Sequence, residues 1–153
     1  MGLVLAMSTL HSSARLWLLM GALLGGLSVA LGAIGAHKLE SHLREPDGSL
    51  TAAAERSMAV WETAARYQMY HALALLMVGV LTLRHRSTII QSAGWAMTAG
   101  VLIFSGCLYA LVLSGQNKLG MVVPIGGVLM LVGWGLLAVG VSRLAIPAET
   151  DRP

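Results

Sequence analysis

Four long apolar stretches separated by short clusters of charge dominate the chain. The first, 16–36, holds 21 residues without a charge, enough to cross about 30 Å of hydrocarbon at about 1.5 Å per residue. The second, 67–83, gives 17 uncharged residues between Arg66 and Arg84, near the lower limit for a span. The third lies between Arg86 and Lys118, with its membrane part at 92–113, and the fourth runs over 119–142 and stops at Arg143. The pattern predicts an all-α fold, an integral membrane four-helix bundle over 16–143, flanked by tails at 1–15 and 144–153.

The connections are unequal. Residues 37–50 read as the one real loop, with Glu45, Pro46, Asp47 and Gly48 as its turn. Residues 51–66 are Ala-rich and place Glu62 and Arg66 at i, i+4 in the favourable order. They predict an amphipathic interfacial helix leading into the second span. Arg84, His85 and Arg86 form a basic hairpin, and 114–118 a polar turn. Residues 1–13 and 146–153 read as loose tails, with Met7 as an alternative start. Ala6 stands where a myristoylation signal needs Ser or Thr. A cleaved signal peptide competes for the first stretch, but 21 apolar residues exceed a signal core of about 7–15.

Small residues sharpen this picture. Gly21, Gly25, Ser28, Gly32 and Gly35 recur at spacings of 4, 3, 4 and 3, so all fall on one helix face. Gly126, Gly133 and Gly140 make a second stripe, seven apart. Such seams let membrane helices approach closely, and two of them suggest a tight approach between the first and last spans. Pro124 stands where a helix start would tolerate its missing N–H. Composition agrees: 56% hydrophobic, 11% charged, 18 Gly and one Phe. Large side chains normally fill a soluble core, whereas small ones join membrane helices. Cys107 is the only cysteine, so no intramolecular disulfide forms.

The net charge of +3 comes from cations scattered around the apolar stretches, without the basic stripe a nucleic-acid partner requires. Four spans put both termini on one side, with Arg15, Arg84, Arg86, Arg143 and Arg152. The other side carries Lys38, Arg44, Arg56, Arg66 and Lys118. The counts tie at five each, but short loops weigh most. The basic hairpin outweighs Lys118, so both termini are expected in the cytoplasm.

Polarity concentrates in one leaflet, where the first span ends at His37 and the second begins with Tyr67, Gln68 and His71. Trp61 and Glu62 lie close by in sequence, and Tyr67, Gln68 and His71 share a helix face within about 100°. Three readings of this cluster stand. It joins helices by hydrogen bonds and anchors them at the interface. Alternatively, it lines a proton or small-solute path near His71, because an intramembrane ionisable residue hints at one. In the third reading, His37 and His71 hold a metal or haem, with Glu62 or His42 completing the site; no His-x-x-x-His or Glu-x-x-His pair supports it. Ser105 and Cys107 read as packing residues, and 124–127 as a kink rather than an anion site. No Gly-rich phosphate loop, nucleophile elbow or Cys-x-x-Cys pair occurs.

Several separated motifs resemble one family. Gly32-Ala33-Ile34-Gly35-Ala36-His37 is followed by Trp61-Glu62-Thr63-Ala64, Tyr67-Gln68 and His71-Ala72-Leu73-Ala74. The second half adds Phe104-Ser105-Gly106-Cys107-Leu108-Tyr109, Leu119-Gly120, Pro124-Ile125-Gly126-Gly127 and Gly133-Trp134. Over roughly 16–140 the chain resembles domain-of-unknown-function family 423, small bacterial inner-membrane proteins of the YgdD/YwdK-like type with distant eukaryotic transmembrane relatives. It departs from that pattern in a longer loop after His37 and in Cys107, where another small residue is more usual. The resemblance implies a multi-pass inner-membrane protein without an established activity. The expected function is therefore non-enzymatic assembly or interaction in the lipid bilayer, without a cofactor. A second copy of the chain or another membrane protein would be the partner. A transporter or channel component is the alternative, and a metal or haem protein the third class.

Overall fold

The computed structural model describes residues 2–144, with side chains from Ser12 onward. Their regular elements are helical, and an isolated antiparallel bridge joins Arg44 to Leu50. Helix α1 spans Gly2–Ile34 and runs through a π-helical turn, Gly35–Leu39, into α2, Glu40–Leu43. Helix α3 spans Ala52–Arg84 and α4 Thr88–Ser114. A 3₁₀ turn at Asn117–Met121 precedes α5, Val123–Ser142.

Local chemistry sets these limits. Thr51 Oγ1 accepts from the Ala54 N–H and Ser87 Oγ from the Ile90 N–H, so each caps the helix that follows. Gly115 ends α4 in the left-handed region at φ 67°, which glycine adopts without a Cβ clash. Pro124 lies in the first turn of α5, where its missing N–H costs no hydrogen bond.

Several sequence expectations need correction. Gly2 onward belongs to α1, so residues 2–13 are helix rather than a loose tail. The predicted loop at 37–50 is helical as far as Leu43, because the π turn carries α1 into α2 without a break. Helix α5 begins at Val123, since the 3₁₀ turn takes up the residues before it. The lead-in at 51–66 and the apolar stretch after it form one continuous helix of 33 residues. The tail expected at 146–153 lies outside the described residues.

Among the described residues, three helical segments are long and apolar enough to cross a membrane: Ser12–Leu43, Thr88–Ser114 and Asn117–Ser142. Helix α3 does not join them. Its apolar half opens with Tyr67, Gln68, Tyr70 and His71, and its first half carries Glu55, Arg56, Glu62 and Arg66.

The helices pack in sequence order, α1 on α3, α3 on α4 and α4 on α5. The two glycine stripes therefore face different neighbours, not each other as the sequence suggested. A Cβ on Gly21 would lie 2.8 Å from the Ala72 carbonyl oxygen of α3, and one on Gly35 would lie 2.4 Å from the Trp61 ring. With Gly21 opposite Ala72 and Gly35 opposite Trp61, α1 and α3 run antiparallel. A Cβ on Gly126 would meet the Phe104 backbone nitrogen of α4 at 2.6 Å, and one on Gly140 would meet Ile90 at the same distance. Gly100 of α4 faces back against Met130 and the Gly126 carbonyl. Each stripe thus joins helices adjacent in sequence, the arrangement that short connections favour.

The apolar centre gathers Trp17 of α1, Leu75 and Val78 of α3, Ile90, Ala93 and Met97 of α4, and Leu137 of α5. Gly94 provides the space for the Trp17 ring, whose atoms lie 2.9 Å from where its Cβ would be. Outward faces carry bare Leu23, Leu102, Leu131 and many similar side chains. In water they would be a liability; in lipid they are the expected exterior.

Candidate functional site

The polar side chains inside the bundle bind helices together in pairs. On the α1–α3 seam, Ser28 Oγ donates to the Ala65 carbonyl at 2.7 Å, Trp61 Nε1 to the Leu31 carbonyl at 2.7 Å, and Gln68 Nε2 to the Leu24 carbonyl at 2.8 Å. On the α3–α4 seam, Ser105 Oγ donates to the Ala64 carbonyl at 2.8 Å and Tyr109 Oη to Gln68 Oε1 at 3.2 Å. Gln68 therefore links three helices, its amide nitrogen to α1 and its oxygen to α4. Small residues beside each bond let a side chain reach backbone across the interface.

His71 connects α3 to α5. Its Nδ1 lies 2.8 Å from the Tyr67 carbonyl of its own helix, while Trp134 Nε1–H donates to Nε2 at 3.2 Å. A neutral imidazole with its proton on Nδ1 satisfies both contacts. The Tyr67 ring stacks near His71 and packs on Phe104 with centroids 4.9 Å apart. A cavity of about 290 Å³ opens beside them, lined by Tyr67, His71, Phe104, Met130 and Trp134 among others. Trp17 Nε1 is the exception to this pattern: it is buried without a hydrogen-bond partner, with its ring edge-on to Trp95.

The six residues of the predicted cluster thus divide. Gln68 and His71 are buried in the helix contacts, whereas Tyr67 stays exposed with its ring against Phe104. Trp61 joins the α1 seam and meets Tyr109 edge-on at 4.7 Å. Glu62 stays exposed, paired with Arg66 at 2.6 Å. His37 is exposed on the π turn. Gly35 abuts Trp61, and the ten residues from Trp61 to His71 rise about 15 Å along α3. His37 and His71 are therefore too far apart to share an ion or a haem iron, and His37 falls outside the polar network. No group of three or more His, Cys, Asp or Glu with metal-binding geometry occurs among the described residues.

Sequence reasoning did not single out Tyr109 and Trp134 as partners of the cluster. Both fall in the motif blocks of the second half, but nothing in their spacing ties Tyr109 to Gln68 or Trp134 to His71, because those contacts span 41 and 63 residues.

A second feature lies nearer the end of the bundle. A cavity of about 410 Å³ opens where α1 passes into the π turn and α3 begins. Gly32, Gly35, Ala36, Met58, Ala59 and Trp61 form much of its apolar wall. Glu40, Glu55 and Glu62 also line it. Glu40 is bonded to Arg44 and Glu62 to Arg66, whereas the Glu55 carboxylate has no ion-pair partner among the described residues. Farther out, Asp47 accepts hydrogen bonds from the Ser49 hydroxyl at 2.7 Å and its N–H at 2.9 Å, which hold its carboxyl below the usual range.

The family model for proteins of unknown function DUF423 matches residues 31–127. The chain is 40% identical over 131 residues to a UPF0382 membrane protein of Staphylococcus aureus, covering 86% of this chain and 98% of that protein. It is 41% identical over 129 residues to one of Staphylococcus haemolyticus, covering 84% and 97%. A third, from Staphylococcus saprophyticus, is 37% identical over 130 residues, covering 85% and 99%. No solved structure matches the chain.

Proposed function

This chain belongs to the DUF423 family of membrane proteins of unknown function, and on that premise we propose that it is a non-enzymatic four-span bundle that acts by association within the membrane. The observation that carries the reading is how the buried polar groups are engaged. Ser28, Trp61, Gln68, Ser105 and Tyr109 bond across helix interfaces, and both nitrogens of His71 are occupied. Each of these bonds ties one helix to another or a side chain to its own backbone, the arrangement of a packing network. These groups hold helices in register. Helix α3 serves as the second span because α1 and α4 flank it and satisfy its Gln68, and Trp134 of α5 reaches its His71, which lowers the cost of polarity in lipid. The bilayer is its first partner, and a second copy or another membrane protein its working one. Both termini lie in the cytoplasm and the membrane is the cell's inner one.

The cavity beside His71 favours a second reading, a small transporter or channel component with a polar path there. His71→Leu separates the two. Association predicts a less stable bundle with unchanged proton or solute flux in proteoliposomes. A fall in flux with the bundle intact would overturn it in favour of the path. A reporter fused after Asp151 that reads out on the far side would refute the orientation.

A further inference from the structure

The cavity at the end of α1 borders the α1–α3 seam, with Gly35 and Trp61 in its wall, and extends beyond it. Its walls are apolar, its volume of about 410 Å³ falls in the ordinary range for small-ligand sites, about 300–1,000 Å³, and it opens to the outside. Its depth is set by the sequence. The apolar run of α1 ends at Ala36; with Gly35 against Trp61, Glu62 lies level with that end, and Lys38, Glu40 and Glu55 lie beyond it, Glu55 about 10 Å along α3 from Glu62. A groove placed there has hydrocarbon on one side and lipid headgroups on the other.

Charge narrows the occupant. Glu40 and Glu62 are already held by Arg44 and Arg66, leaving the Glu55 carboxylate as the unneutralised charge on the lining. An acceptor at that position favours a cationic donor. Arg44, bonded to Glu40 of the lining, adds hydrogen-bond donors at the edge of that end. A ligand matching this order has an apolar chain, an ammonium that can donate to Glu55, and a phosphate near Arg44.

We propose that this groove is a binding site for a membrane phospholipid with a primary-ammonium headgroup, its ammonium on Glu55 and one acyl chain along Gly32, Ala36, Met58 and Ala59. Phosphatidylcholine has the same phosphate, but its bulkier quaternary ammonium has no N–H to donate. Phosphatidylglycerol brings no cation at all. The site depends on α1 and the start of α3 alone, so it stands whether or not the region near His71 conducts.

The test uses the full chain in detergent, given equal amounts of phosphatidylethanolamine, phosphatidylcholine and phosphatidylglycerol with identical acyl chains, with retained lipid counted by native mass spectrometry. The expected result is preferential retention of phosphatidylethanolamine. Glu55→Gln reduces that preference by about two- to fivefold, the scale of one exposed ion pair. Gly32→Leu fills the groove and abolishes retention there. A Cβ on Gly32 meets nothing within 4 Å, and an unchanged circular dichroism spectrum and elution volume would show that the variant folds as the parent does. Gly26→Leu, equally open but outside the groove, is the control and retains lipid as the parent does. Equal retention of the three lipids, a preference for phosphatidylglycerol, or retention unchanged by Gly32→Leu would each overturn the proposal.

Discussion

Gly126 and Gly127 are neighbours in the first turns of α5, yet the structure gives them opposite roles. A Cβ on Gly126 would stand 2.6 Å from the Phe104 nitrogen, 2.7 Å from the Gly100 carbonyl oxygen and 2.9 Å from the Phe104 Cα. All three are backbone atoms of α4, so no side chain can swing aside and the helices must move apart. A Cβ on Gly127 meets nothing within 4 Å. Replacing either glycine by alanine improves helix propensity by the same amount, up to about 1 kcal/mol. That gain cancels in the comparison between them. What remains is overpacking at Gly126, about 1–3 kcal/mol by the usual cost of forcing extra volume into a close contact. Because about 1.4 kcal/mol is tenfold in an equilibrium constant, the folded fraction in a dodecyl maltoside and SDS titration should separate clearly. Tryptophan fluorescence follows that transition through Trp134 and Trp17, which lie on α5 and in the core. Gly126→Ala should unfold at lower SDS than the parent, and Gly127→Ala at equal or higher SDS. If Gly126→Ala proves as stable as Gly127→Ala, the α4–α5 contact is looser than backbone against backbone and the packing argument fails.

The polar contacts make smaller, separable predictions. Ser105→Ala removes one bond to the Ala64 carbonyl and should cost about 0.6 kcal/mol, the average for such bonds between membrane helices, in the same titration. Gln68→Leu should cost more than Ser105→Ala, because it removes the bond to Leu24 and leaves Tyr109 Oη without its acceptor; an equal cost would show that Gln68 does not link three helices. Trp61→Phe keeps a ring against Gly35 but loses the bond to Leu31, and should cost about 1 kcal/mol. In the loop, the turn built on Asp47 depends on its ionised carboxyl. Its pKa is depressed, so this contribution is present above the ordinary carboxylate value near 3.8 and is lost as pH falls through the lower, folded value. An NMR titration of the Ser49 amide should show a midpoint below 3.8, and a midpoint at or above it would remove the contact.

The helices were legible because their apolar runs are long, and their seams because glycine and serine recur at helical spacing. The partners of those seams were not. A stripe of small residues states that something approaches closely, without naming what does; Gly21 and Gly126 give the same signal and face α3 and α4 respectively. The π turn was equally hidden, since Gly35–Leu39 reads as the end of a span and the start of a loop, whereas the backbone carries on helically to Leu43. His37 and His71 looked paired because both fall at the same membrane boundary in sequence. Antiparallel packing sets the level of His37 by Gly35 against Trp61, ten residues from His71.

That register also explains why polarity could collect in the least apolar helix. Helix α3 is flanked by α1 and α4, and His71 reaches α5, so its polar positions face backbone carbonyls or another polar side chain. The glycines and small residues of its neighbours bring those groups within reach. Without the seams, Gln68 and His71 would be buried donors and acceptors without partners, at about 1–3 kcal/mol each. The two features that stood apart in the sequence are therefore one device: the small residues make the close approach, and the polar residues of α3 require it.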